Sequence, residues 1–163
     1  MALGVLDRDT MLVHAGDVTA AEIAAIARSG AAVVFCPGTH VYFCRPPHPL
    51  PALLEAGVPT GLGTDSSASN TGLSIAAEMR TVRRLFPELP ARTIWQLGTG
   101  ALLDRFFPGA GSVEPGATAD LAVTDLSPAG SAAAAAAGDP LEAFLALDLD
   151  APAALTLCAG ASR

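Results

Sequence analysis

Two side chains suited to hydrolytic chemistry stand at matching points of the sequence, His14 and Asp65. His14 follows the short apolar run Met11-Leu-Val, and Asp65 follows the longer run Val58 to Leu62. After each comes a change of texture: Ala-Gly behind His14, and Ser-Ser-Ala-Ser-Asn70 behind Asp65. A neutral imidazole and a carboxylate are both zinc ligands, and either can carry a proton. The same residues also have quieter uses. A strand-end His satisfies a backbone carbonyl, and an Asp after a strand caps the loop that follows. Spacing alone leaves both uses open.

For the pair to act together, the elements carrying them must deliver both to one place. Thr19-Ala-Ala-Glu22 has capping-box spacing and opens a helix through Ala21 to Arg28, with Gly30 as its stop. Ala31 to Cys36 is a continuous apolar strand of the kind buried on both faces. A proline-rich loop from Pro37 to Pro49 follows, then a short helix from Leu50 to Ala56 closed by Gly57. Val58 to Asp65 is the third strand, and Leu73 to Leu85 an amphipathic helix with Ile75, Met79 and Val82 on one side. Repeated strand–loop–helix units imply βαβ crossovers and a parallel sheet. In a parallel barrel equivalent strand ends share one face, so His14 and Asp65 are expected at a common mouth. A further helix is expected over Ala91 to Phe107, a turn-rich stretch over Gly111 to Asp120, a strand at Leu121 to Thr124 and a closing strand at Ala153 to Ala159. Residues 128–138 are Ala/Gly-rich and read as a loop or weak helix.

Other constellations are weaker. Cys36, His40, Cys44 and His48 recur every fourth residue, but Gly38 and the neighbouring prolines argue against a helix there, and the spacing is not that of a structural zinc site. A substrate-facing loop using His40 or His48, or a plain surface loop, fits better. Gly61-Leu-Gly63 is half a dinucleotide fingerprint without its third glycine. No G-x-S-x-G elbow is present, so Ser66, Ser67 and Ser69 are poor nucleophiles. Glu78 and Arg80 read as a solvated or ion-paired helix face.

Composition narrows the classes. The chain has 163 residues, 51% of them apolar and 5% aromatic, enough for a substantial core of Ala, Leu and Val. A net charge of -7 disfavours nucleic acid and anionic membranes. All nine basic residues are Arg, so Schiff-base and phosphate-loop Lys chemistry is excluded. No apolar run reaches the length of a membrane span. The first residues lack a secretory pattern, and three Cys suit a reducing compartment; a cytoplasmic protein is expected.

In order, Leu-Val-His14, Val-Val-Phe-Cys36-Pro37-Gly-Thr-His40, Gly57-Val-Pro-Thr-Gly-Leu-Gly-Thr-Asp65-Ser-Ser-Ala-Ser-Asn70 and Glu78-Met-Arg80 resemble the C-terminal half of the amidohydrolase superfamily. The branch is that of S-adenosylhomocysteine, aminodeoxyfutalosine and guanine deaminases and chlorotriazine hydrolases. Gly111 to Val123 resembles that family's return into its small β-sandwich, and the likeness covers roughly residues 8–126. It implies an α/β fold: strands six to eight of a (β/α)8 TIM barrel with their helices over residues 1–110, and C-terminal β-sandwich strands with the Ala/Gly-rich loop over 111–163.

The resemblance further implies that His14 ends barrel strand six and contacts the hydrolytic water, the substrate or a metal. Asp65 would end strand eight, bind a divalent metal (zinc, with iron as the alternative) and take a proton from the water. His40 and Ser69 would be substrate-binding, although the family often has Ser-Asn where Thr39-His40 stands. The implied activity is hydrolytic deamination of a purine-like or other nitrogen heterocycle. The family also uses a His-x-His pair on strand one and a metal His on strand five, which belong to an N-terminal barrel half that this chain is expected to lack. A weak or inactive fragment, a non-catalytic half-barrel complementing a separate N-terminal chain, and a truncated remnant all follow as expectations. The expected partners are the small-molecule substrate, the missing barrel half and a second copy in a homo-oligomer.

Overall fold

In a computed structural model, residues 4–100, 102–124, 126, 138–146, 155–158 and 161–162 are described. Residues 128–137 of the Ala/Gly-rich stretch, and 153, 154 and 159 of the expected closing strand, lie outside them. The chain divides into two compact units, Met1–Glu78 and Met79–Arg163.

The first unit is built on three parallel strands in the order β1-β2-β3: β1 (Met11–Val13), β2 (Ala32–Phe35) and β3 (Thr60–Leu62). Leu12 pairs with Val33, and Val34 with Gly61. Helix α1 (Ala20–Ser29) links the first two strands. Its capping box forms as its spacing predicts: the Glu22 N–H donates to Thr19 Oγ1, and the Thr19 N–H donates to the Glu22 carboxylate at 2.7 Å. Gly30 ends the helix in the left-handed conformation, φ 72°, where a side chain would be strained.

The proline-rich stretch is not one loop. Helix α2 (Pro37–Tyr42) occupies its first half, and α3 (Leu50–Glu55) follows at its end. Pro37 stands in the first turn of α2, where its missing N–H has no intrahelical acceptor to serve, so proline starts this helix instead of breaking it.

Strand alternation divides the sheet's two faces. On one, Val33 joins Ile23, Ile26, Ala31, Leu53 and Val58 in a buried cluster, with Leu12 packed against it. Met11 and Val13 point the other way and are 44% and 53% exposed. Helices α1 and α3 therefore cover one face, while the β1 part of the opposite face presents apolar side chains to solvent.

Helix α4 (Ile75–Leu85) runs across the boundary between the units. In the second unit, Ala91 to Phe107 is two helices, α5 (Ala91–Thr99) and α6 (Leu103–Phe106). The break falls at Gly98-Thr-Gly100, where two glycines weaken the helix. A second sheet, antiparallel, has the order β4-β5-β6: β4 (Leu121–Val123), β5 (Leu155–Cys158) and β6 (Ala161–Ser162). Helix α7 (Pro140–Ala146), which sequence patterning missed, buries Phe144 edge-on to Trp95 at 5.1 Å. Arg83 grips Glu142 of α7 with two hydrogen bonds of 2.8 and 3.0 Å.

Candidate functional site

The backbone at both strand ends is bent to present a side chain. The His14 N–H still donates to the Val34 carbonyl at 2.8 Å, extending the sheet ladder past β1. The chain then turns back sharply. His14 and Ala15 have φ of 71° and 51°, and the Ala15 N–H donates to the Val13 carbonyl at 3.0 Å, a γ-turn about His14. Beyond β3, the Gly63 N–H donates to the Phe35 carbonyl, and Asp65 adopts φ 55°. Left-handed backbone at a non-glycine residue costs about 1–3 kcal/mol and persists only where surrounding contacts impose it.

The result is convergence: His14 Nε2 lies 3.7 Å from Asp65 Oδ2. Two donors on one tetrahedral zinc ion stand about 3.4 Å apart, so this pair fits two of an ion's four positions with little adjustment. Both residues line an open cleft of about 180 Å³ with Gly16, Asp17, Cys36, His40 and Arg45 among its other walls. No group of three or more His, Cys, Asp or Glu side chains able to hold a metal occurs among the described residues. Among the described residues, His14 and Asp65 are two groups able to ligate a metal that stand within reach of each other.

The carboxylate of Asp65 is held from behind. Ser69 Oγ donates to its Oδ2 at 3.4 Å and shares a hydrogen bond of 3.0 Å with Thr39 Oγ1. Ser69 is buried and does not line the cleft, whereas His40 does. His40 Nε2 meets the Pro46 carbonyl at 2.8 Å, which assigns the proton to that nitrogen and leaves Nδ1 as the acceptor. Cys36 also lines the cleft, but burial, then the charges of Asp65 and Glu78, push its thiol up to about 11. It is held as an inert thiol.

Glu78 departs from the sequence reading. It is not on a solvated face but only 2% exposed, accepting hydrogen bonds from the Gly38 N–H and the Asn70 side-chain amide. Nothing in the local pattern marks it, because its partners lie 40 and 8 residues away.

His48 is the second residue that the sequence offers, beside His40, for a substrate-facing position. It is 3% exposed, stacks on Phe35 with ring centroids 3.8 Å apart, and donates from Nε2 to the His14 carbonyl at 2.7 Å. Its place is beneath the site, holding the strained turn that aims His14. Burial, reinforced by the nearby His40 and His14, depresses its pKa from 6.5 to about 4 despite the opposing hydrogen bond to the His14 carbonyl. Between those values the unfolded chain binds the extra proton and the folded chain does not. The stability contribution is therefore complete above about pH 6.5 and is lost progressively as pH falls toward 4. Urea midpoints measured from pH 7 to 4 are expected to fall more steeply for the parent than for His48→Gln. Parallel profiles would contradict the buried neutral imidazole.

Three comparisons bear on this arrangement. Residues 1–161 match the model of the Amidohydrolase family. The 5-methylthioadenosine/S-adenosylhomocysteine deaminase of Halobacterium salinarum is 37% identical over 130 residues, 76% of this chain and 30% of that protein. The aminodeoxyfutalosine deaminase of Deinococcus radiodurans is 41% identical over 92 residues, 56% of this chain and 22% of that protein. Among solved structures, an adenosine deaminase from Xanthomonas campestris with bound zinc superimposes with a TM-score of 0.86 at 28% identity, covering 98% of this chain and 38% of that one. The chain thus spans less than a third of the curated relatives it matches.

Proposed function

Since this chain belongs to the amidohydrolase family, we propose that it is the C-terminal part of a metal-dependent aminohydrolase. The reaction is hydrolytic deamination of a purine-like or other nitrogen heterocycle, the class to which the deaminase relatives' names point. The observation that carries this reading is the 3.7 Å approach of His14 Nε2 to Asp65 Oδ2 at the edge of an open cleft. β1, β2 and β3 are read as barrel strands six to eight, and the β4-β5-β6 sheet as part of the small β-sandwich, with the division at residues 110/111. The exposed Met11 and Val13 support this reading, because the rest of a barrel would cover that face.

His14 and Asp65 would hold a divalent ion, zinc by analogy with the zinc-bound adenosine deaminase, or iron. When bound, such an ion lowers the pKa of water enough to make a nucleophile available at neutral pH. Asp65 accepts the proton that water gives up as its oxygen bonds to the ring carbon. His14 hydrogen-bonds the water or the leaving nitrogen and steadies the developing charge. Transfer of that proton to the leaving nitrogen lets the carbon–nitrogen bond break and ammonia depart. His40 Nδ1 is available to a donor on the heterocycle, and Ser69 serves the site through Asp65.

The remaining metal ligands come from the rest of the barrel, and a second copy in a homo-oligomer is a further proposed contact. The proposed compartment is the cytoplasm; no described helix is long and apolar enough to cross a membrane. The half coordination shell among the described residues also favours a second reading, a non-catalytic half-barrel or remnant that complements a separate N-terminal chain. The test is ammonia release from 5-methylthioadenosine, S-adenosylhomocysteine, adenosine, guanine and an aminotriazine, with zinc supplied. Residues 1–163 are assayed alone and joined to the segment encoded directly upstream. Activity confined to the joined form is expected. Equal activity of the two would overturn the incomplete site, and no release from either would favour the non-catalytic reading.

A further inference from the structure

Glu78 stands outside the reacting groups assigned above, yet its carboxylate ties the loop that carries Asp65 to the first turn of α2, which carries His40. One oxygen accepts from the Gly38 N–H at 2.7 Å, and the other from Asn70 Nδ2 at 2.6 Å. The same Asn70 amide donates to the carbonyl of Thr64, the residue immediately before Asp65, at 2.8 Å. Gly38 lies in the first turn of α2 beside Thr39 and His40, and Thr39 reaches Asp65 through Ser69. A carboxylate this buried is costly to hold unless its oxygens are hydrogen-bonded, and charge-assisted bonds of this length are the strong kind. The fit around it is tight: a Cβ on Gly38 would fall 2.6 Å from the Asn70 amide nitrogen and 2.7 Å from Glu78 Oε1.

The geometry points to Glu78 as the positioning residue of the site, a buried carboxylate that fixes the left-handed backbone of Asp65 through Asn70 and locks the N-terminal end of α2, with Thr39 and His40, against it. This rests on the reading of Asp65 as metal ligand and proton acceptor, and adds a residue that touches neither water nor substrate. Both partners of Glu78 are donors, which makes Glu78→Gln diagnostic. The amide keeps the size but offers one acceptor oxygen and one NH2, so one of the two donors must face another donor.

The chain joined to the segment encoded directly upstream, and its Glu78→Gln, Asn70→Ser and Asp65→Asn variants, would be titrated with Co2+ alone, read by visible absorption. Backbone amide exchange over residues 36–40 and 63–71 would be measured on the same proteins. Glu78→Gln is expected to weaken Co2+ binding by about 10–100-fold, as loss of a ligand's supporting partner does, and to speed exchange severalfold in both segments with α1 unchanged. Asn70→Ser, which spares the Gly38 bond, is expected to loosen 63–71 alone; it decides the matter should Glu78→Gln fail to fold. Parental exchange in 63–71 for these variants overturns the positioning role whether or not metal binds. So does parental Co2+ affinity in Glu78→Gln where Asp65→Asn has lost it. Parental affinity in Asp65→Asn, or no Co2+ binding by the parent, would instead strike the reading of Asp65, and exchange then decides the role of Glu78.

Discussion

Asp65→Asn, placed in the chain joined to the segment encoded directly upstream, is expected to lower kcat by about 10³-fold or more, within reach of what a positioned proton acceptor contributes. The substitution is nearly isosteric, and Asn tolerates the left-handed conformation as Asp does, so the φ of 55° at this position adds no penalty. Ser69 Oγ can still donate to the amide oxygen as it does to the carboxylate. What disappears is the negative charge 3.7 Å from the His14 imidazole and the ability to take a proton. Zinc content should fall with the rate, because an amide oxygen is a poorer zinc ligand than a carboxylate. Steady-state kinetics with metal analysis of the same preparations checks both. An Asp65→Asn protein within tenfold of the parent would mean that the proton goes elsewhere, and the 3.7 Å pair would reduce to a strand-end cap.

How much of this arrangement the residues disclose depends on the range of the interaction. The Thr19–Glu22 capping box and the Gly30 stop are local, and both form where spacing places them. The convergence of His14 and Asp65 is long-range but follows from one rule, that equivalent ends of parallel strands share a face. What escapes is every contact that sequence spacing does not encode. Pro37 reads as a breaker because proline usually is one, and only its position in a first turn reverses that. Glu78 reads as solvated because the helix pattern ranks charges outward, while its burial is decided by a glycine N–H 40 residues away. The left-handed turn at His14 leaves no local signature at all, since His48, which holds its carbonyl, comes from 34 residues further along.

The same long-range dependence makes Phe35 the position where one substitution should do most damage to the fold. Its side chain is 1% exposed, stacks face-on to His48 at 3.8 Å and meets His40 edge-on at 5.5 Å. Phe35→Ala is expected to cost about 3–5 kcal/mol, the usual range for emptying a buried aromatic site, out of a total that is about 5–15 kcal/mol for a whole domain. Phe35→Leu, which keeps most of the volume, should cost about 1.5 kcal/mol or less. Urea unfolding at pH 7 gives both numbers. A second consequence separates stacking from simple volume. Without the ring, water reaches His48, its depressed pKa moves back toward 6.5, and the excess acid sensitivity between pH 6.5 and 4 shrinks in Phe35→Ala. The sign is fixed: the variant is less stable everywhere, but its deficit relative to the parent is largest above pH 6.5 and narrows as acid protonates His48 more readily in the variant than in the parent. A loss below about 1 kcal/mol, or a deficit that widens toward pH 4, would mean that the Phe35–His48 stack does not hold the strained turn beneath His14.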